Sequence, residues 1–299
     1  MDAGVTTVQL PGGYFDERGQ LHETVELAPL TGSDEELLAS RGTLAGAAVS
    51  SLLSRALKRV GTIEVIDESL VRRLLVADRQ FLMLKLRELT YGPRVSGSCF
   101  CDFDDCRQRV SLSFSTADIP IKALGDKRPA YELRLSLPEG LDRALALRLP
   151  TGADQEALAH LVAAGGSAAQ ALRLLVQRCL VRDGAGDRGD PDPPLVVEDL
   201  SPHALLEIER FLAATAPMVD LDVRLSCAEC RREFTAQLDI QDFFFGELVT
   251  SAEQLYKEVH YLAFHYHWGE QEILALSRTK RERYIAILSD QLEELNAGA

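Results

Sequence analysis

Two short cysteine pairs constrain this chain more than anything else in its 299 residues: CDFDDC, at Cys101 and Cys106, and CAEC, at Cys227 and Cys230. Each sets two thiols on one tight turn. Around the first, RVSGSCFC and RVSLSFS alternate with period two, and around the second VDLDVRLSC and REFTAQLDI do the same, so each turn reads as the tip of a hairpin. Two such turns can offer four thiolates to one tetrahedral zinc ion. A closed four-cysteine set leaves no position for water or substrate, so the chemistry it predicts is structural. The bland alternative is a set of unrelated buried cysteines, and the matching strands around both pairs favour the metal. Cys99 competes with Cys101 for the first position, and Cys101 is preferred because C-x4-C is an ordinary knuckle spacing and C-x6-C is not. Cys179, at the end of an apolar helical pattern, reads as a core residue.

A zinc site of this kind would join the two halves of the chain, and the expected fold is α+β, with helical N- and C-terminal parts around a small antiparallel, zinc-ribbon-like β unit. Five segments follow. Residues 1–94 read as an extended N-terminus, with an acidic turn at Asp16–Gly19, and then helices. Ser33 is the expected cap of the first helix. The next helix should carry Val49, Leu52, Leu53, Ala56 and Leu57 on one face. The run DESLVRRLLVADRQFLMLKLRELTYG should form two helices that break near Ala77–Asp78 and end at Gly92-Pro93. Residues 95–181 hold the first knuckle, further strands in AYELRLSL and RALALRLP, and two helices. Residues 182–194, RDGAGDRGDPDPP, read as a linker. Residues 195–242 hold a helix capped by Ser201 with Pro202 in its first turn, then the second knuckle. Residues 243–299 form an aromatic helical region. Offsets after the two knuckles also match: Val110, Leu112 and Phe114 follow Cys106 as Phe234, Ala236 and Leu238 follow Cys230. A repeated knuckle and the ordinary look of a strand after a cysteine turn explain this equally well.

EVHYLAFHYHWGE, Glu258–Glu270, is the other unusual stretch, and it raises a competing function, a metal hydrolase using His260, His265 and His267. Helical geometry argues against it. At about 100° per residue His260 and His267 share a face, while His265 lies about 140° from the first and about 160° from the second. The HExxH spacing is absent. Packing or a protein interface is the better reading for these amphipathic rings. In DFFFGEL, Asp242–Leu248, three consecutive phenylalanines cannot face one core, so one or more should meet a second element or a partner. SRTKRER, Ser277–Arg283, reads as a solvated basic helix face. There is no Gly-rich phosphate loop, no GxSxG and no strong carboxylate pair, so no catalytic and no cofactor-binding residues are assigned beyond the structural zinc.

A net charge of −14 argues against a general nucleic-acid backbone binder and favours protein partners. MDAGVTTVQLPGG lacks a basic start followed by an apolar run, and no apolar stretch approaches the ~20 residues of a membrane helix. The expected setting is cytoplasmic.

Several stretches together, FFFGEL, LYKEVHYLAFHYHWGEQEILAL and KRERYIAIL near the end, and DRQFLMLKLRELTYGPRV, CDFDDC and CAECRREF before them, resemble the T4-type phage baseplate protein family of contractile tails and phage-tail-like contractile injection systems. The resemblance spans about Val8 to Leu295. It implies a non-enzymatic protein that builds a baseplate or central hub, either as an assembly factor or as a part of the finished particle, binding baseplate, hub or tube proteins. It also implies that Cys101, Cys106, Cys227 and Cys230 hold a metal and that the aromatic block is a conformational or interaction element. One departure stands out. The family's knuckles often carry Pro and Gly after the cysteines, where this chain has Asp102, Arg107, Ala228 and Arg231. The runner-up function is a zinc-stapled cytosolic adaptor or regulator unrelated to tails. The residues leave oligomeric state open.

Overall fold

The computed structural model describes residues 4–40, 45–136, 142–181 and 195–297. The segment read as a linker, 182–194, lies outside them. The chain opens with a hairpin of β1 (Thr6–Phe15) and β2 (Leu21–Leu27). Its turn is held by Asp16, whose carboxylate accepts the N–H groups of Arg18 and Gln20 at 2.9 and 2.8 Å. The ladder slips between Gln9 and Tyr14, where Pro11-Gly12-Gly13 forms an irregularity, and Gly13 takes a φ of +82°.

Helix α1 (Gly32–Ser40) follows. Its cap is Thr31, not Ser33: the Thr31 N–H and hydroxyl both donate to Asp34, whose own N–H is 3.3 Å from the Thr31 hydroxyl. Helix α2 (Ala45–Ala56) stops one residue before Leu57, which the helical spacing had placed on it. Leu57 instead opens β3 (Leu57–Val60), which pairs antiparallel with β2. That pairing buries Leu57 and Val60 while Lys58 and Arg59 stay in solvent. A free strand edge outcompetes local helical preference here.

Helix α3 (Glu68–Arg73) is capped by the Asp67 carboxylate, and α4 (Val76–Tyr91) runs to Gly92. The break between them falls at Leu74–Leu75 rather than at Ala77–Asp78. The cause lies far along the chain: Leu75 bridges Thr151, the Val76 N–H donates to the Pro150 carbonyl, and the Gly152 N–H donates to the Leu74 carbonyl. Helix α4 is the central element, buried from Ala77 to Thr90 on most sides.

Next come β4 (Arg94–Phe100), β5 (Arg109–Ser115) and the two-residue β6 (Ile121–Lys122), then the hairpin of β7 (Tyr131–Ser136) and β8 (Asp142–Leu147). Helices α5 (Gly152–Ala163), α6 (Ala168–Cys179) and α7 (Pro202–Thr215) complete the middle of the chain. Ser201 caps α7, accepting the Ala204 N–H. Strand β9 (Met218–Val219) pairs with β6, and β10 (Asp222–Ser226) pairs with β11 (Glu233–Gln237). Helices α8 (Ile240–Tyr266), α9 (Glu270–Leu274) and α10 (Arg278–Ala297) close the described chain. The fold is α+β, its sheets small and antiparallel.

The largest core gathers β1–β3, α2 and α4, and it also takes in Val219, Leu221 and Phe244 from the second half. A second core lies between β7–β8, α6 and α7, and a third between α8 and α9. The two halves therefore share packed surface and the β6–β9 ladder as well as the cysteine region. Among the described residues no helix is long and apolar enough to cross a membrane.

Candidate metal centre

Both knuckles are built by the same backbone device. The β4–β5 ladder ends at the Phe100–Arg109 pair, and one more bond, from the Cys101 N–H to the Gln108 carbonyl, closes the loop at its base. The β10–β11 ladder ends at Ser226–Glu233, and the Cys227 N–H donates to the Arg232 carbonyl. In each case the bond joins the first cysteine to the residue two past the second. Each loop then turns through a left-handed residue directly after its second cysteine: Arg107, φ 49°, and Arg231, φ 59°. These are the positions where the resemblance led us to expect glycine, and the arginines adopt the turn conformation all the same.

The tips face one another. The Sγ atoms of Cys101, Cys106, Cys227 and Cys230 all lie within 4.8 Å of each other, and Cys101···Cys230 and Cys106···Cys227 are each 3.7 Å. A tetrahedral ion with about 2.3 Å to each sulfur has S···S edges of about 3.8 Å, so the spacing and the donor set both fit zinc. Exchanging the two knuckles maps one 3.7 Å contact onto the other. Burial follows the same exchange, with Cys101 and Cys227 buried and Cys106 and Cys230 partly exposed. The matching offsets in the sequence therefore correspond to two like halves of one cluster.

Phe103, Val110 and Phe234 cover the sulfurs. Arg232 ties the knuckles together from outside. Its guanidinium sits 3.9 Å over the Phe103 ring and pairs with Asp105 of the opposite loop. The Arg232 backbone N–H and side chain both reach the Cys230 thiol and draw it down to about 6, while burial pushes the Cys101 thiol up to about 12. Phe103 and Arg232 escaped notice in the sequence; an aromatic between the first two cysteines and a basic residue beside the last were the available signals. Cys99 packs against the cluster but stands outside the group of four. Cys179 is fully buried in the second core, and burial pushes its thiol up to about 12.

The histidines are not brought together. Among the described residues the metal-capable group contains none of His260, His265 and His267. His265 meets Tyr261 and Phe264 edge-on at 4.8 and 5.1 Å. His267 is exposed and ends α8 in a left-handed turn, φ 59°, its N–H donating to the Ala263 carbonyl. Tyr266 and Trp268 stack at 4.9 Å and receive Tyr284 of α10 edge-on, which folds the end of α8 back onto α10. SRTKRER is not wholly a solvated face. Arg281 is fully buried and donates to Glu35 and Glu258 at 2.9 Å each and to the Leu276 carbonyl. Lys280 and Arg283 do face solvent. Of the three phenylalanines, Phe244 is buried edge-on against Tyr91 in the largest core.

Residues 247–299 match a family of unknown function, DUF6760. No curated protein and no solved structure matches the chain.

Proposed function

We propose that this chain is a non-enzymatic structural or assembly protein whose two halves are stapled by one zinc ion on Cys101, Cys106, Cys227 and Cys230, and that it works by binding other proteins in the baseplate or hub of a contractile, phage-tail-like particle. The observation that carries the staple is the meeting of four thiols from two distant hairpins at the spacing of a tetrahedral ion. With four protein ligands the ion has no vacant position, so its contribution is folding energy rather than catalysis. The acidic balance of the chain fits protein partners, and the long aromatic C-terminal block and the knuckle sequences are what link it to baseplate proteins. Zinc-binding requires the thiols to lose their protons, and Arg232 at Cys230 favours that step.

Affinity capture from the native host, with sedimented particles and the soluble pool analysed separately by mass spectrometry, tests the tail assignment. Recovery with tube or baseplate proteins in particles makes the chain a component, and recovery with them only in the soluble pool makes it an assembly factor. Absence of tail proteins from both fractions overturns the assignment and leaves a zinc-stapled adaptor.

A further inference from the structure

Helix α10 carries its charges the wrong way round for a lone helix. Its first turn is basic, with Arg278, Lys280 and Arg281, and its last turns are acidic, with Asp290, Glu293 and Glu294. The helix macrodipole favours the reverse for charges close to a helix end. Glu35, Glu258 and Glu282 already answer Arg278 and Arg281 within the chain, so the charges left for an outside partner are the exposed ones.

The exposed face shows which one. With Ile287 set at zero and about 100° per residue, Lys280, Arg283, Asp290, Gln291 and Glu294 all fall within about 60° of it, whereas the buried Arg281 and Leu288 fall at about 100–120°. Every residue of that stripe is exposed, and Ile287 keeps 51% of its surface in solvent, with Leu295 at 64% alongside. The ion pairs of this helix run from Arg278 to Glu282 and Glu35 and from Arg281 to Glu35 and Glu258; among the described residues none reaches Lys280, Arg283, Asp290 or Glu294. Lys280 lies seven positions before Ile287 and Glu294 seven positions after it.

From this we infer that α10 is a self-association surface whose occupant is α10 of a second copy, lying antiparallel about a two-fold axis at Ile287. Lys280 of each copy then faces Glu294 of the other, Arg283 faces Asp290, and the two Ile287 side chains meet at the centre. A two-fold interface must be complementary to itself, and a stripe that is basic before its midpoint and acidic after it has that property. The antiparallel neighbour also sets each basic end beside an acidic one, removing the conflict with the dipole. The inference does not depend on the metal or on a role in tails.

Sedimentation velocity of the full chain across a concentration series tests it. The expected result is a reversible monomer–dimer equilibrium that weakens with salt. K280E/R283E and D290K/E294K should each weaken it by about tenfold or more, and an equimolar mixture of the two variants should recover a dimer. The double variants also separate the pairing from bulk charge repulsion. In a chain of net charge −14, repulsion alone would make D290K/E294K associate better, not worse. Circular dichroism should show both variants folded, since all four side chains are exposed. A wild-type chain that stays monomeric throughout, a dimer indifferent to both reversals, or a mixture that fails to pair overturns the inference.

Discussion

Arg107 and Arg231 show how single residues decide the knuckle. Each holds a left-handed backbone that costs a side-chain-bearing residue roughly 1–2 kcal/mol. Glycine would remove that strain and lose about 0.5–1 kcal/mol to its greater freedom when unfolded. Among the described residues Arg107 has only an exposed pair with Asp104 to lose. Arg107→Gly should therefore stabilise the protein by about 0.5 kcal/mol, read as a higher midpoint in denaturant; a fall of similar size would mean the arginine has an energetic role in the turn. Asp78 gives a pH prediction. Burial pushes its carboxyl up to about 7, against weaker opposing pulls from the Gly12 and Gly13 N–H groups and from Lys127, and among the described residues its Oδ2 has no hydrogen-bond partner. Between about pH 4 and 7 the folded chain holds a proton that the unfolded chain has released, so this residue's stabilising contribution is full below that window and lost as pH rises through it. Asp154 has the opposite sign: burial would raise its carboxyl, but Arg148, Thr151 and Arg178 hold it well below the ordinary range, and its contribution is lost on acidification. Asp78→Asn should flatten the decline in unfolding free energy from pH 5 to pH 8. An unchanged slope would show that Asp78 is ionised throughout.

At the scale of elements, the C-terminal helices are attached through charge as well as apolar packing. Arg87 of α4 grips Glu247 of α8 with two hydrogen bonds, and Arg281 of α10 bridges Glu35 of α1 and Glu258 of α8. Arg281→Met should cost about 3–5 kcal/mol, because it strips the buried Glu258 of its cation and leaves the buried Glu35 only the longer 3.8 Å pair with Arg278. Adding Glu35→Leu and Glu258→Leu should restore part of that loss; additive losses would mean the cluster works as packing alone. Elements with local causes were legible in the sequence. The cysteine hairpins show their alternation, α7 its Ser-Pro start, and α4 its Gly-Pro end. The α1 cap moved from Ser33 to Thr31 through a local bond to Asp34, but three other misplacements share one cause, a partner distant in the chain. Leu57 leaves its helix for the edge of β2, the α3–α4 break is set by Pro150–Gly152, and Arg281 is drawn inward by Glu35. No window around those residues contains the group that decides them.

For the whole molecule, the central claim is that one zinc ion joins residues near 100 to residues near 230. The four sulfurs that cluster could be chosen from the sequence because knuckle spacing is a local signal, whereas the way Arg232 and Phe103 brace the two loops required the fold. Cys227→Ala should destabilise the protein strongly and abolish metal retention, while Cys179→Ala, which only trims the second core, should keep the metal and cost far less. The most direct measurement is native mass spectrometry of untagged protein, paired with thermal unfolding with and without a chelator. The account predicts one zinc per chain and a large drop in Tm when it is removed. A metal-free chain that unfolds at the same temperature in both conditions would contradict it.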